Sequence, residues 1–155
     1  MKRLAAYLAL CLGLYGPSFG ILAASPPPHD AQAAFEYACA VTGYDCAGIA
    51  PPRVEWVDLY HTYGAHGLYT GFDFVYMDIA VLRFADPAYI QSVLAHETVH
   101  YIDFMQGRLT ADQADNASAC ASEFAAWRVG NAYVITHGRP DLADFTWHER
   151  YGCFL

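Results

Sequence analysis

The sequence predicts an α+β domain with its helices packed on one side of a small, mainly antiparallel sheet. Three observations carry that expectation. Residues 29–41 are alanine-rich with apolar positions near helical spacing, residues 54–82 gather β-branched and aromatic residues, and Asp86-Pro87 opens a second half of two or three helices. The chain has 155 residues, 55% of them apolar and 15% charged, which is material for one core.

The first segment has the pattern of an export signal. Lys2 and Arg3 precede an apolar run from Leu4 to Tyr15, broken by Gly16-Pro17 and followed by the small residues Ser18, Gly20, Ala23 and Ala24. A basic start, an apolar stretch and a small-residue exit predict a signal peptide over 1–24, cut after Gly20 or Ala24. A membrane anchor is the alternative, but an unbroken span needs about 20 apolar residues. Cys11 lies mid-run after Leu10, a poor context for lipid attachment. Residues 25–155 are then expected to form a single secreted or periplasmic domain, free of the membrane once the leader is removed.

Charge narrows the partners. Without Lys2 and Arg3, six arginines face sixteen acidic residues, a net charge near −10. Such a surface repels phosphate backbones and excludes nucleic-acid binding as the function. The oligomeric state is left open by the sequence.

Each element has a local reason. The first helix, about His29 to Val41, has Gly43 as its stop. Pro51-Pro52 introduce a strand from Val54 to Tyr60, and Leu68-Tyr69-Thr70 form a short extended run in a glycine-dotted loop. Val75, Met77, Ile79 and Val81 alternate with Tyr76, Asp78 and Ala80, the pattern of a half-buried strand. Asp86 then offers an N-cap acceptor with Pro87 at the first helical position, and that helix is expected to run to Gln106 before Gly107. A further helix is expected from near Asp112 or Asp115 to His137-Gly138, and a short one within Asp141 to Glu149.

Export makes the four remaining cysteines a disulfide framework with three possible pairings. Cys39–Cys46, closing a short loop through Gly43, and Cys120–Cys153, stapling the C-terminus to a helix, are the favoured pairs. Four free buried thiols are the alternative.

Residues 96–100 read His-Glu-Thr-Val-His inside the Asp86-capped helix. Two histidines four apart lie one turn apart on one face, so both imidazoles can reach one ion. Glu97 points about a quarter turn aside, where it can hold a water without being a ligand. Neutral imidazoles with a carboxylate suit zinc. With seven histidines in the chain, chance produces the pattern in roughly one such sequence in a hundred.

A catalytic zinc site takes three protein ligands and leaves a position open. The extended HExxHxxGxxH form fails here, because Asp103 and Gln106 stand at its glycine and histidine positions. Glu123, on the next long helix and among small or apolar neighbours, is the leading third ligand. A buried carboxylate is costly unless paired or metal-bound, and Arg128 is its alternative partner. Rival ligands are Asp115, His137, His148 and the pair His61 and His66. A Cys120–Cys153 bond would brace the helix that carries Glu123.

His96-Glu97-Thr98-Val99-His100 with a downstream glutamate helix resembles the zincin metallopeptidases, and within them the gluzincin branch. The resemblance covers about residues 54–137. It implies a zincin-like fold, a single zinc ion held by His96, His100 and Glu123, and hydrolysis of peptide or protein substrates with Glu97 as general base and then acid. It also implies an edge strand ahead of the metal-binding helix along which substrate aligns, and Gly71 to Leu82 occupies that place. Trp127 stands where some gluzincins carry an aspartate that orients a histidine. Asp103, on the stripe of His96 and His100, is a candidate to brace them, and Tyr133, His137 and His148 are candidates to stabilise the transition state. The competing expectation is a catalytically silent module that keeps the fold, with or without the metal.

Overall fold

The computed structural model describes residues 30–109 and 116–153. The expected signal peptide over 1–24, its two candidate cleavage positions and Asp112 to Asp115 lie outside them. Helix α1, Ala31–Thr42, starts where the Asp30 carboxylate accepts the N–H groups of Gln32 and Ala33, and ends where Gly43 turns left-handed at φ 74°.

Strand β1, Arg53–Val57, is shorter than the expected Val54–Tyr60. The fully buried Asp78 carboxylate accepts the N–H groups of Leu59 at 3.1 Å and Tyr60 at 3.4 Å, bending the chain into a helical turn, α2, Tyr60–Tyr63. Strands β2, Gly67–Tyr69, and β3, Phe74–Asp78, follow, and then the short helix α3, Val81–Phe84.

The three-stranded sheet is mixed, which corrects the mainly antiparallel expectation. Its order is β1-β3-β2. β1 pairs with β3 in parallel from Arg53↔Phe74 to Val57↔Asp78, and only the shorter β2 runs antiparallel to β3, from Gly67↔Met77 to Tyr69↔Val75. α2 and β2 lie within the connection between β1 and β3 and carry the chain back to the start of the sheet, as a parallel pairing requires. Alternation fixes which residues face inward but says nothing of strand direction. The expected edge strand is corrected too: Phe74–Asp78 is central, the edges are β1 and β2, and Val81 and Leu82 belong to α3.

Helix α4, Pro87–Met105, is capped by Asp86, whose side chain accepts the Ala88 N–H at 2.8 Å. It is the centre of the molecule, covered by α1, by β2 and β3, and most extensively by α5, Asn116–Thr136. Leu94, Ala95, Val99 and Ile102 of α4 are fully buried against Ala34 and Ala38 of α1, Val75 and Met77 of β3, and Ala126 and Val129 of α5. A helix covered on so many sides is apolar nearly all round, which is why its few polar residues stand out. The expected helix within Asp141 to Glu149 is instead a 3-10 turn, Pro140–Leu142, followed by α6, Trp147–Tyr151. Among the described residues no helix is long and apolar enough to cross a membrane.

Cys39 is bonded to Cys46 and Cys120 to Cys153. The second bond joins α5 to the C-terminal segment across 33 residues and packs with Trp147 and Trp127 in a small separate cluster. Replacing Cys120 and Cys153 together by serine is expected to lower unfolding stability by about 2–4 kcal/mol, read as an earlier urea midpoint. An unmoved midpoint would show that the cluster, not the covalent link, holds the C-terminus.

Candidate metal centre

The pattern of α4 places His96 and His100 on the face turned toward α5. The two helices approach closely there because residue 130 is glycine: a Cβ at Gly130 would stand 3.3 Å from the Ser92 carbonyl oxygen and 3.7 Å from the His96 Cβ. This approach brings Glu123, nearly two turns earlier on α5, opposite the two imidazoles.

His96 Nε2 and His100 Nε2 are 3.2 Å apart. Glu123 Oε2 lies 3.6 Å from His96 Nε2, and Oε1 lies 3.5 Å from His100 Nε2. Donors about 2.0–2.2 Å from a tetrahedrally bound ion stand about 3.3–3.6 Å from one another, so these spacings suit a shared ion. They are also too long for good hydrogen bonds to the carboxylate. Glu123 Oε2 is indeed buried with no hydrogen-bond partner. An orphaned carboxylate oxygen facing two imidazole nitrogens is the donor set that a cation satisfies, so these three residues can hold a metal ion.

Protonation supports ligation. Burial, and then the neighbouring His100 ring, hold the His96 pKa well below its ordinary value, so the ring is neutral as a ligand must be. His100 Nδ1 lies 2.9 Å from Ser122 Oγ, and the Ser122 hydroxyl donates to Asp103 Oδ2 at 2.6 Å. A hydroxyl already donating to a carboxylate can only accept from the ring. His100 is therefore the Nδ1–H tautomer, and its Nε2 lone pair points at Glu123.

Glu97 sits a quarter turn away, 8% exposed. Strand β2 closes over it. A Cβ at Gly67 would meet Glu97 Cγ at 2.7 Å and Oε1 at 2.9 Å, so only glycine lets the strand lie this close. Burial and then the Glu123 charge push the Glu97 pKa up to about 8, against the opposing backbone hydrogen bond from Tyr69. A divalent cation beside it works the other way and favours the carboxylate.

In metal-free protein the raised pKa has a definite sign. Folding takes up a proton on Glu97 between the unfolded carboxylate range and about pH 8, so its contribution is full at low pH and is lost as pH rises through 8. His96, held neutral, acts oppositely and loses stability as pH falls. Glu97→Gln removes only the first limb. It is expected to stabilise the metal-free protein more at pH 9 than at pH 5.5 in urea titrations, and an equal gain at both would remove Glu97 as the titrating group.

The remaining sequence candidates fall in different places. Asp103 is buried and reaches His100 through Ser122. The Trp127 ring stands edge-on to the His96 ring at 4.8 Å and packs against it. Tyr133 and His137 stack on each other at 3.9 Å near the C-terminal end of α5 and line a separate depression with Asp30, Gln91 and Arg139. His148 packs edge-on against Trp147. His61 binds Asp58 at 2.8 Å and His66 binds the Tyr89 hydroxyl at 2.7 Å. None of His61, His66, His137 and His148 joins the three-donor group. Asp115 lies outside the described residues. Arg128 donates to the Val41 carbonyl oxygen, and among the described residues the ion-pair contacts of Glu123 are with His96 and His100.

Ser122 and Gly67 escape a reading of the sequence. Ser122 has one signal, a hydroxyl next to Glu123 among small helix-packing residues; Gly67 has only its place in a glycine-dotted loop. No protein-family model, curated protein or solved structure matches the chain.

Proposed function

We propose that this protein is an exported zinc-dependent metallopeptidase of the zincin type, gluzincin in its ligand set, acting on peptide or protein substrates. The observation that carries the reading is the convergence of His96, His100 and Glu123 on one point, with Glu97 buried beside it and outside the donor set. A structural metal site fills its positions with protein ligands, whereas three donors and an adjacent base suit catalysis. Two imidazole nitrogens and one carboxylate favour zinc. The two disulfides fit the export expected from the leader.

When bound, zinc would polarise the scissile carbonyl and acidify water. Glu97 takes the proton of the attacking water and later delivers it to the departing amine nitrogen. Its contact with Gly67 and the hydrogen bond from Tyr69 limit the directions the carboxylate can face. Ser122 and Asp103 keep the His100 ring turned toward the ion. β2 has one unpaired edge, and a substrate strand laid along it would pass beside Glu97.

The test is elemental analysis of the purified protein with digestion of a peptide library. The expected result is one zinc per chain and cleavage that a chelator stops and added zinc restores. Zinc at full occupancy without cleavage of any peptide would favour the silent module, and a chain that binds no metal would remove the metallopeptidase reading and leave only a silent module without the ion.

A further inference from the structure

Asp103 is held from outside as well as used from inside. Its Oδ2 receives the Ser122 hydroxyl, while its Oδ1 receives Arg108 Nε at 2.8 Å. The turn at Gly107 folds back on it, since the N–H groups of Arg108 and Leu109 both donate to the Asp103 carbonyl oxygen, at 2.8 and 3.1 Å. Asp103 is almost fully buried, but the Arg108 side chain is 41% exposed. An arginine that open to water leaves its partner readily unless something else holds it.

Tyr44 is what holds it. The Arg108 guanidinium carbon lies 3.6 Å from the centroid of the Tyr44 ring, a close cation–π stack. Tyr44 belongs to the short segment closed by Cys39–Cys46. The same segment makes a second contact with this end of α4, because Gln106 Nε2 donates to the Asp45 carbonyl oxygen. The disulfide-closed loop thus grips the chain on both sides of Gly107.

We propose that Tyr44, presented by the Cys39–Cys46 loop, is a positioning residue for the metal ligand His100. The ring holds Arg108 on Asp103, Asp103 orients Ser122, and Ser122 fixes the His100 imidazole. Metal retention therefore depends on a loop that supplies no ligand. The inference rests on the metal reading of His96, His100 and Glu123.

The test uses the mature chain loaded with cobalt(II), with affinity read by competition against a chelator and ligand geometry read from the visible absorption bands. Ser122→Ala is the reference and is expected to weaken binding about tenfold or more, the usual effect of losing a partner of a ligand. Tyr44→Ala, Arg108→Gln and the Cys39→Ser/Cys46→Ser pair are each expected to weaken it about threefold or more and to shift the bands in the same sense. Tyr44→Phe keeps the ring over Arg108 but removes the hydroxyl that interacts with Asp103, and is expected to bind more tightly than Tyr44→Ala. Arg108→Gln alters an exposed side chain, so it provides the comparison if Tyr44→Ala fails to fold. Wild-type affinity in Arg108→Gln beside a weakened Ser122→Ala overturns this proposal alone, as does a Tyr44→Phe variant no tighter than Tyr44→Ala. Absence of cobalt binding by the wild type overturns the proposal together with the metal reading.

Discussion

Glu97→Gln is expected to lower peptide cleavage by about 10²–10⁴-fold, the usual contribution of a positioned acid–base group. Metal content should not change, because Glu97 is outside the three-donor group. The substitution is nearly isosteric. The amide would keep the contact with Gly67 and an oxygen for the Tyr69 N–H, so the strand above the site stays in place. What the change removes is the ability to accept and return a proton. Cleavage by the variant at the wild-type rate, with the same metal content, would show that another group moves the proton. Loss of metal would instead make Glu97 a ligand.

Glu123→Ala is expected to weaken metal retention by about an order of magnitude or more, measured as residual metal after dialysis against a graded series of chelator. It leaves two imidazoles and no anionic donor. It also removes the charge that helps lift Glu97, so in metal-free protein the Glu97 pKa should fall toward its ordinary range. Unchanged retention would point to a donor outside the three, of which Asp115 is the sequence candidate that lies outside the described residues.

The helices are legible in the sequence because their signals are local. Asp86-Pro87 and Gly43 mark ends that depend on a few neighbouring residues, and both stand where the sequence places them. His96 and His100 are legible for the same reason, since one turn of helix fixes their spacing. Glu123 is suggested by a charge among small residues, and its facing of the two rings depends on how α5 crosses α4. The direction of β1 relative to β3 has no local signal, because it is decided by a connection that carries α2 and β2. The role of Ser122 exists only once Asp103 is brought beneath it from another helix. Tyr133 and His137 are chemically apt side chains near the wrong end of α5, a matter of distance along the axis that composition does not reveal.

The missing side chain at position 130 sets more than a helix contact. A Cβ at that position would crowd the Ser92 carbonyl oxygen and the His96 Cβ, so its absence lets α4 and α5 approach, and the Cys120–Cys153 bond ties α5 to the C-terminal segment. The aperture between imidazoles and carboxylate is then a calibrated gauge. It would suit a compact ion content with a few ligands at about 2.0–2.2 Å. Calcium, which gathers six to eight oxygens at about 2.3–2.6 Å, would meet too few oxygens and too narrow an opening. On the proposed reading, discrimination by ionic radius would be delegated to the width of a glycine.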